Sequence, residues 1–318
     1  MTRVVTVTGA CGFIGRHVVE ALLTRGDYVY AVDALTYAAD PSVLDDWART
    51  FKPSQIKFMQ ANICDLSTLP DVDVIINLAA ETHVDSSIKD SKRFVETNIL
   101  GVHHLLELVR AKRGYDMPHF IQISTDEVYG DIQHGDSTET APLAPSSPYA
   151  ASKAAADHLV AAWARTYGLH YNIVRPSNCY GRHQYPEKLI PKAIRYLALG
   201  KRIPIHEDGS AARSWLAVED CVSAILTIVD RGALDTIYNV PGNTEMSVRG
   251  VASLIVEAFH GPNTEPANFF ALQYTRQGLD RRYHVDGSRL RGLGWTPTGD
   301  LRRDLPRIVE AERETLRW

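Results

Sequence analysis

Val4-Val5-Thr6-Val7-Thr8, a run of β-branched residues, leads directly into Gly9-Ala10-Cys11-Gly12-Phe13-Ile14-Gly15, and a helical pattern then continues through Leu23 to a stop near Gly26. No other stretch narrows the possible folds as much. A strand, a glycine turn and a helix in direct succession bring backbone N–H groups and a helix N-terminus to one point, which suits a pyrophosphate, and the last glycine lets helix and sheet approach closely. The spacing is G-x-x-G-x-x-G rather than the standard G-x-G-x-x-G, so the flanking strand and helix carry the identification. A second strand, Tyr28-Val29-Tyr30-Ala31-Val32, ends in Asp33, eighteen residues beyond Gly15. A carboxylate there can accept both ribose hydroxyls and repels a 2′-phosphate, and no Arg follows it directly, so NAD is favoured over NADP. The plainer reading of Asp33 is a turn residue closing its strand.

The alternation of strand and helix persists. Ile56-Lys57-Phe58-Met59 leads to Asn62-Ile63, where an adenine could lie, and Val72-Asp73-Val74-Ile75-Ile76-Asn77-Leu78 and Phe120-Ile121-Gln122-Ile123 read as further buried parallel strands. The pattern predicts an α/β fold built on a doubly wound parallel Rossmann-type sheet. The segment Ile225 to Asp230 and the strand Thr236-Ile237-Tyr238-Asn239-Val240 suggest that the chain returns to this sheet at about residues 207–242. We therefore expect an NAD-binding domain over residues 1–175 and a smaller, interleaved C-terminal substrate domain, mainly 176–318. Residues 264–276, with Pro, Asn and Thr, read as loop, and the charged, amphipathic stretch 301–318 as a closing surface helix. Helices from about Phe94 to Ala111 and from Tyr149 to Tyr167 are apolar around much of their circumference. They are either buried under the sheet or half of a homodimer seam.

At 318 residues with a net charge of -4 and scattered basic residues, the chain has ample core and is a poor partner for nucleic acid or an anionic membrane. Cys11, Cys64, Cys179 and Cys221 have no C-x-x-C spacing and no His cluster accompanies them, so neither disulfides nor a metal site is expected. His103 and His104, adjacent on a helix, face different ways. The chain enters a strand at Arg3 without a charged region followed by an apolar one, and no apolar run approaches the length of a membrane span. A reducing cytoplasm fits best.

Chemistry concentrates between Ser124 and Lys153. Tyr149 and Lys153 are four apart, so on a helix an ammonium sits beside a phenol and should draw its pKa of about 10 towards neutrality. Tyr149 is then a candidate acid/base at a carbinol carbon, whereas the bland reading of the pair is a solvated helix face. The strand ending at Ile123 delivers Thr125, Asp126 and Glu127 to a carboxyl end, where open α/β sheets bind ligands. Two adjacent carboxylates there are either loop solvation or an acid and a base. At another carboxyl end, Leu78-Ala79-Ala80 precede Glu81-Thr82-His83-Val84-Asp85.

Taken together, these stretches resemble the extended short-chain dehydrogenase/reductases, and among them the dTDP-glucose 4,6-dehydratases. The resemblance spans almost the whole chain: Gly9 to Gly15, Val32 to Ala38, Ala79 to Asp85, Ser124 to Gly130, Tyr149 to Lys153, Pro186-Glu187-Lys188-Leu189-Ile190-Pro191, Arg213 to Asp220 and Asp280-Arg281-Arg282-Tyr283. The Thr-Asp-Glu triplet with Pro-Glu-Lys-Leu-Ile-Pro is its specific part. It implies an NAD-dependent lyase acting on a nucleotide-diphospho-hexose, most often dTDP-glucose, with Thr125, Asp126, Glu127, Tyr149 and Lys153 catalytic. Thr125 would bond the 4-hydroxyl, Tyr149 take its proton, Glu127 act as base at C5 and Asp126 protonate the C6 hydroxyl, so the two carboxyl groups need different protonation states. For the cofactor it implies Gly9, Gly12, Phe13, Ile14, Gly15, Asp33, Leu35, Thr36, Asn62, Ile63, Leu78, Ala79, Ala80, Thr97, Tyr149 and Lys153. Thr82, Thr125, Asn178, Lys188, Leu189, Pro204, His206, Arg213, Arg281 and Tyr283 would hold the nucleotide sugar, the planar fork of Arg213 suiting a diphosphate.

Departures from the family pattern cluster around the ligands: Asn62 replaces a common Asp, Ser86 an Arg, Cys179 an Asn, Arg182 a Pro and His206 a Tyr. Two rivals remain, a nucleotide-sugar epimerase or decarboxylase on the same scaffold and a non-catalytic NAD-binding regulator. The Asp-Glu couple speaks against the epimerase, and the intact glycines, Tyr149 and Lys153 against the regulator.

Overall fold

The computed structural model describes residues 2–112, 117–273 and 278–315. Its strands are β1 (Val4–Thr8), β2 (Tyr28–Asp33), β3 (Ile56–Gln60), β4 (Val74–Asn77), β5 (His119–Ile123), β6 (Tyr171–Pro176), β7 (Asn178–Tyr180), β8 (Ile203–His206), β9 (Ala212–Ala217), β10 (Thr236–Val240), β11 (Thr244–Ser247) and β12 (Phe270–Gln273). The helices are α1 (Phe13–Arg25), α2 (Val43–Thr50), α3 (Val84–Lys89), α4 (Lys92–Val95), α5 (Val102–Ala111), α6 (Pro148–Tyr167), α7 (Leu189–Ala198), α8 (Val218–Arg231), α9 (Val248–His260), α10 (Ser288–Arg291) and α11 (Leu301–Thr315).

The main sheet has the order β10-β6-β5-β4-β1-β2-β3, and every pairing in it is parallel. β1 therefore lies where the strand order reverses, with β2 on one side and β4 on the other, and a crevice opens outside the carboxyl ends there. Strands covered on both faces must be apolar at successive positions, and Val74–Asn77 is buried at all four. One core packs α1 and α8 against the sheet through Val18, Leu22, Cys221 and Ile225. The opposite face is closed by α5 and α6 through Leu105, Leu106, Ala156 and Val160. α8 and β10 do bring the chain back to the main sheet, as the pattern around 225–240 implied.

A second core lies outside this sheet. It joins α7, α9 and α11 to β8, β9 and β12 through Ile194, Ile205, Trp215, Ile255, Phe270 and Leu305. β7, β9 and β11 form a small mixed sheet, and β8 pairs with β12.

Two expectations need correction. Residues 264–276 are not simply loop: a 3₁₀ turn, Pro266–Phe269, leads into β12 beside β8, and 274–276 lie outside the described residues. β12 buries Phe270 and leaves Leu272 64% exposed, so its alternation is too brief to be read from sequence. The helix expected from Phe94 is also not uniform, since a π-helical turn, Glu96–Gly101, stands between α4 and α5. The closing helix is α11, which buries Leu301, Leu305, Ile308 and Val309; residues 316–318 of that expectation lie outside the described residues.

Candidate active site

Gly9 follows β1 with φ 65, and a Cβ on it would lie 2.8 Å from the Ala79 nitrogen. At Gly15 a Cβ would lie 2.0 Å from the Gly9 carbonyl oxygen, so only glycine lets α1 start this close to the turn. Behind the turn, Asp33 ends β2 with Oδ2 accepting from the Cys11 N–H (2.8 Å) and Oδ1 from the Leu35 N–H (2.7 Å). These bonds aim the carboxylate at the crevice and leave each oxygen a lone pair. The same crevice is lined by Gly12, Phe13, Ile14, Thr36, Asn62, Ile63, Leu78, Ala79, Ala80 and Thr97. A backbone cradle, a strand-end carboxylate and an apolar slot by Ile63 fit a dinucleotide carrying an unphosphorylated ribose. The nearby Arg16 is tied to Asp40 (3.1 Å) and Asp46 (3.4 Å).

α6 begins where it does because Ser147 Oγ accepts the Ala150 N–H and Pro148 occupies the first turn. Tyr149 is thereby placed at the crevice mouth, its N–H donating to Ser87 Oγ (3.2 Å) and its ring edge-on to Phe94. Across from it, Thr125 caps the 3₁₀ turn Asp126–Tyr129 by accepting the Glu127 N–H (3.3 Å). Thr125, Asp126, Glu127, Tyr149 and Lys153 all line the one crevice, directly beyond the dinucleotide cradle. That answers the solvated-face reading of Tyr149 and Lys153, since both are buried.

The electrostatics divide these groups. Asp126 is buried, its Oδ2 has no hydrogen-bond partner, and burial, with the neighbouring Glu127 charge second, pushes it up to about 7. It is therefore a carboxylic acid holding its proton near neutrality. The expected effect of Lys153 on Tyr149 is corrected. Lys153 Nζ donates to the Ile123 carbonyl (2.6 Å), and the phenol is pushed up by its burial and by Glu127, with Thr125 bonding in the opposing sense. Desolvation outweighs an ammonium that is itself lowered to about 8 by burial.

Beyond the carboxylates, Thr82, Asn178 and Lys188 line the crevice, with Lys188 Nζ donating to the Thr82 carbonyl (2.9 Å). Arg213 is buried from β9, its guanidinium 4.4 Å from the centroid of the Tyr283 ring and donating to the Ala212 and Asp280 carbonyls. Its charge reaches Asp126 and that of Glu127 reaches Tyr283, so both stand close to the acidic turn. Leu35, Leu189, Pro204, His206, Arg213, Arg281 and Tyr283 are not part of the crevice lining itself. Leu35 contributes its backbone N–H to Asp33, His206 lies 3.8 Å from Asp85, and Arg281 is largely exposed, 4.0 Å from Glu207. Among the described residues no cluster of His, Cys, Asp or Glu could hold a metal ion.

Reading the sequence missed two supports. Asn98, on the π-helical turn, donates to the Glu81 carbonyl (3.0 Å) and Ser152 Oγ (2.8 Å) and accepts from the Glu81 N–H (2.9 Å), pinning α6 to the segment after β4. An Asn four residues from both Phe94 and Val102, and so on their apolar side of a helical pattern, is the signal that could have found it. Glu187 also lines the crevice, with Oε1 buried and lacking a hydrogen-bond partner and its carboxylate 3.8 Å from His83 and 3.7 Å from Lys188.

Comparison with known proteins returns one scheme. Residues 6–305 match the family model described as GDP-mannose 4,6 dehydratase. The chain is 40% identical to the dTDP-glucose 4,6-dehydratase of Streptomyces griseus, over 100% of this chain and 96% of that one. Among solved structures, the dTDP-glucose 4,6-dehydratase DesIV of Streptomyces venezuelae, with NAD bound, superposes with a TM-score of 0.93 at 35% identity, covering 99% of this chain and 98% of that one. A UDP-glucose 4-epimerase from Thermotoga maritima superposes with a TM-score of 0.86 at 28% identity, covering 98% and 99%. The scaffold is therefore shared by two chemistries, and the side chains must separate them.

Proposed function

This chain belongs to the GDP-mannose 4,6 dehydratase family, and from that premise we propose that it removes water from a nucleotide-diphospho-hexose, most readily dTDP-glucose, to give the 4-keto-6-deoxy sugar with NAD as recycled cofactor. The carrying observation is a buried Asp126 without a partner on Oδ2, beside Glu127 and in one crevice with Tyr149. An epimerase needs a group to exchange a hydride and a proton at C4. It has no use for a neutral carboxylic acid next to a second carboxyl group.

The residues divide the work. Thr125 bonds the sugar's 4-hydroxyl and Tyr149 accepts its proton. Bound NAD would supply the acceptor for the C4 hydride and its return at C6, and a positively charged ring beside Tyr149 would favour the phenolate. The ketone left at C4 acidifies C5–H, which Glu127 removes, while Asp126 gives its proton to the departing C6 hydroxyl. A proton returned to C5 completes a net loss of one water. Gly9 to Gly15 would hold the pyrophosphate and Asp33 the adenosine ribose, and Thr82, Asn178, Lys188 and Arg213 the sugar nucleotide. The remaining assignments, Leu35 among the cofactor contacts and Leu189, Pro204, His206, Arg281 and Tyr283 among the substrate contacts, extend this reading outside the crevice.

We also propose that the main sheet with its helices is the NAD-binding part, residues 1–175 with the return at 207–242, and that 176–318 mainly holds the nucleotide sugar. The same reading makes the enzyme a cytoplasmic homodimer joined through the helices near Phe94 and Tyr149. The exposure of Val95 (44%), Leu100 (55%) and Tyr167 (40%) on those helices supports the seam. Cys11, Cys64, Cys179 and Cys221 are free thiols, consistent with a reducing compartment, and no helix of the described residues is long and apolar enough to cross a membrane. Incubating the purified protein with a panel of nucleotide hexoses and weighing the products tests the function. Loss of water from a 6-hydroxylated hexose is expected, and an isomer of unchanged mass would transfer the assignment to an epimerase.

A further inference from the structure

Between β7 and α7 the chain runs without helix or strand from Gly181 to Lys188. Gln184, Tyr185, Glu187 and Lys188 of this segment line the crevice together with Gly9 and Asp33 of the dinucleotide cradle. The segment meets three ends of the main sheet in turn. Gly181 lies against Phe13, a Cβ on it coming 3.6 Å from the ring, and the Arg182 carbonyl is 3.3 Å from His17 Nε2, so α1, which follows β1, is met first. Tyr185 then meets Tyr37, beyond β2, edge-on with ring centroids 5.5 Å apart. Last, Lys188 Nζ donates to the Thr82 carbonyl (2.9 Å), beyond β4. β4, β1 and β2 are adjacent strands, at the point where the strand order reverses. A dinucleotide with its pyrophosphate on Gly9 to Gly15 therefore lies beneath this segment.

The two tyrosines are held to this meeting by their backbones. Each follows, two residues on, a non-glycine residue in left-handed conformation: Leu35 (φ 53) before Tyr37 and His183 (φ 68) before Tyr185. Such backbone persists where its surroundings fix it, and here Asp33 Oδ1 accepts the Leu35 N–H while Glu312 Oε1 on α11 accepts the His183 N–H (3.3 Å). Tyr37 is 41% exposed and does not line the crevice, so its ring contact is not part of a buried core. We propose that residues 181–188 form a strap that retains the dinucleotide between turnovers, latched by Tyr185 on Tyr37. This rests on the cofactor part of the reading above, in which the dinucleotide ends each cycle as it began and has no need to leave. Release between the two hydride transfers would strand the sugar as its 4-ketone. A strap that must lift before the pyrophosphate can quit its cradle slows that release. Tyr37 is then a positioning residue, acting through the strap and not on the reacting atoms.

Holoenzyme carrying radiolabelled NAD, diluted into excess unlabelled NAD and desalted at intervals, gives the release rate without turnover. Tyr37→Ala should release the label about tenfold faster than wild type, the size expected of one edge-on aromatic contact, and Tyr37→Phe, which keeps the ring, should stay near the wild-type rate. Made in a Tyr185→Ala background, Tyr37→Ala should add little, because the contact is already gone. With NAD saturating, Tyr37→Ala should turn over at the wild-type kcat. Wild-type release from Tyr37→Ala, whatever its melting temperature, would mark the contact as surface packing and overturn the proposal, as would a Tyr37→Ala effect undiminished in the Tyr185→Ala background. Should Tyr37→Ala fail to fold, His17→Ala, which frees the strap at Arg182, decides, since unchanged release there contradicts a strap. A wild type that holds no dinucleotide would remove the cofactor reading and the strap with it, whereas unchanged release from loaded variants would remove the strap alone.

Discussion

Asp126 and Glu127 are chemically similar side chains one residue apart, and their surroundings give them different work. Burial pushes Asp126 up to about 7. Glu127→Gln keeps the volume and loses the basicity, so C4 oxidation should survive while C5 deprotonation slows by about a hundredfold or more, seen as NADH absorbance that accumulates with substrate bound. Tyr149→Phe should show almost no NADH under the same conditions. Asp126→Asn should resemble Glu127→Gln on the natural substrate and recover in part on a 6-fluoro analogue, whose leaving group needs little protonation. The pH dependence has a definite sign. Asp126 is the acid below about 7 and loses its proton above, so water loss should decline as pH rises through that value and should not do so with the 6-fluoro analogue. Because the folded state holds a proton that the unfolded state releases from about pH 4 upwards, this group also makes the fold less stable as pH rises from about 4 to about 7. A pH–rate profile on both substrates checks the first statement, and thermal melts of wild type and Asp126→Asn the second.

The elements that present these groups have little room to move. Gly15 starts α1 against the Gly9 carbonyl, and Gly15→Ala must displace one of the two backbones. We expect a loss of about 1–3 kcal/mol of stability and most of the bound dinucleotide, measured by thermal melting and by extracting cofactor from denatured protein. NADP in the wild-type extract would count against the role of Asp33. The π-helical turn is the second such element. It turns Asn98 inward to Ser152, whose Oγ in turn donates to the Tyr149 carbonyl (2.7 Å), so Asn98→Ala leaves the Glu81 backbone groups unpaired in the interior. It should cost about 1–3 kcal/mol and lower kcat more than it raises KM, because α6 carries Tyr149.

For the whole molecule, the exposed apolar residues Val95, Leu100 and Tyr167 lie on the helical layer that also carries Tyr149. Light scattering at micromolar concentration should give twice the chain mass, and Val95→Glu combined with Leu100→Glu should give a monomer. A monomeric wild type, or a dimer built on other elements, would remove that part of the reading.

Much of this architecture was legible because its signals are local. The β1–glycine–α1 succession, Asp33 at the end of β2, and the spacing of Tyr149 and Lys153 each lie within a few residues, where backbone sterics and helical periodicity act directly. The Thr125-Asp126-Glu127 triplet was likewise visible as a pattern. Its position opposite Tyr149 required β5 to pair with β4 and β6 in parallel, which only the assembled sheet decides. β12 escaped notice because four residues with one buried Phe carry no readable period, and Asn98 because its partners are 17 and 54 residues distant. Protonation states were least accessible of all. That Lys153 turns to the Ile123 carbonyl instead of governing Tyr149, and that Asp126 keeps its proton while lying beside Glu127, follow from burial. Burial is a property of every chain segment packed around a group, and no local run of residues encodes it.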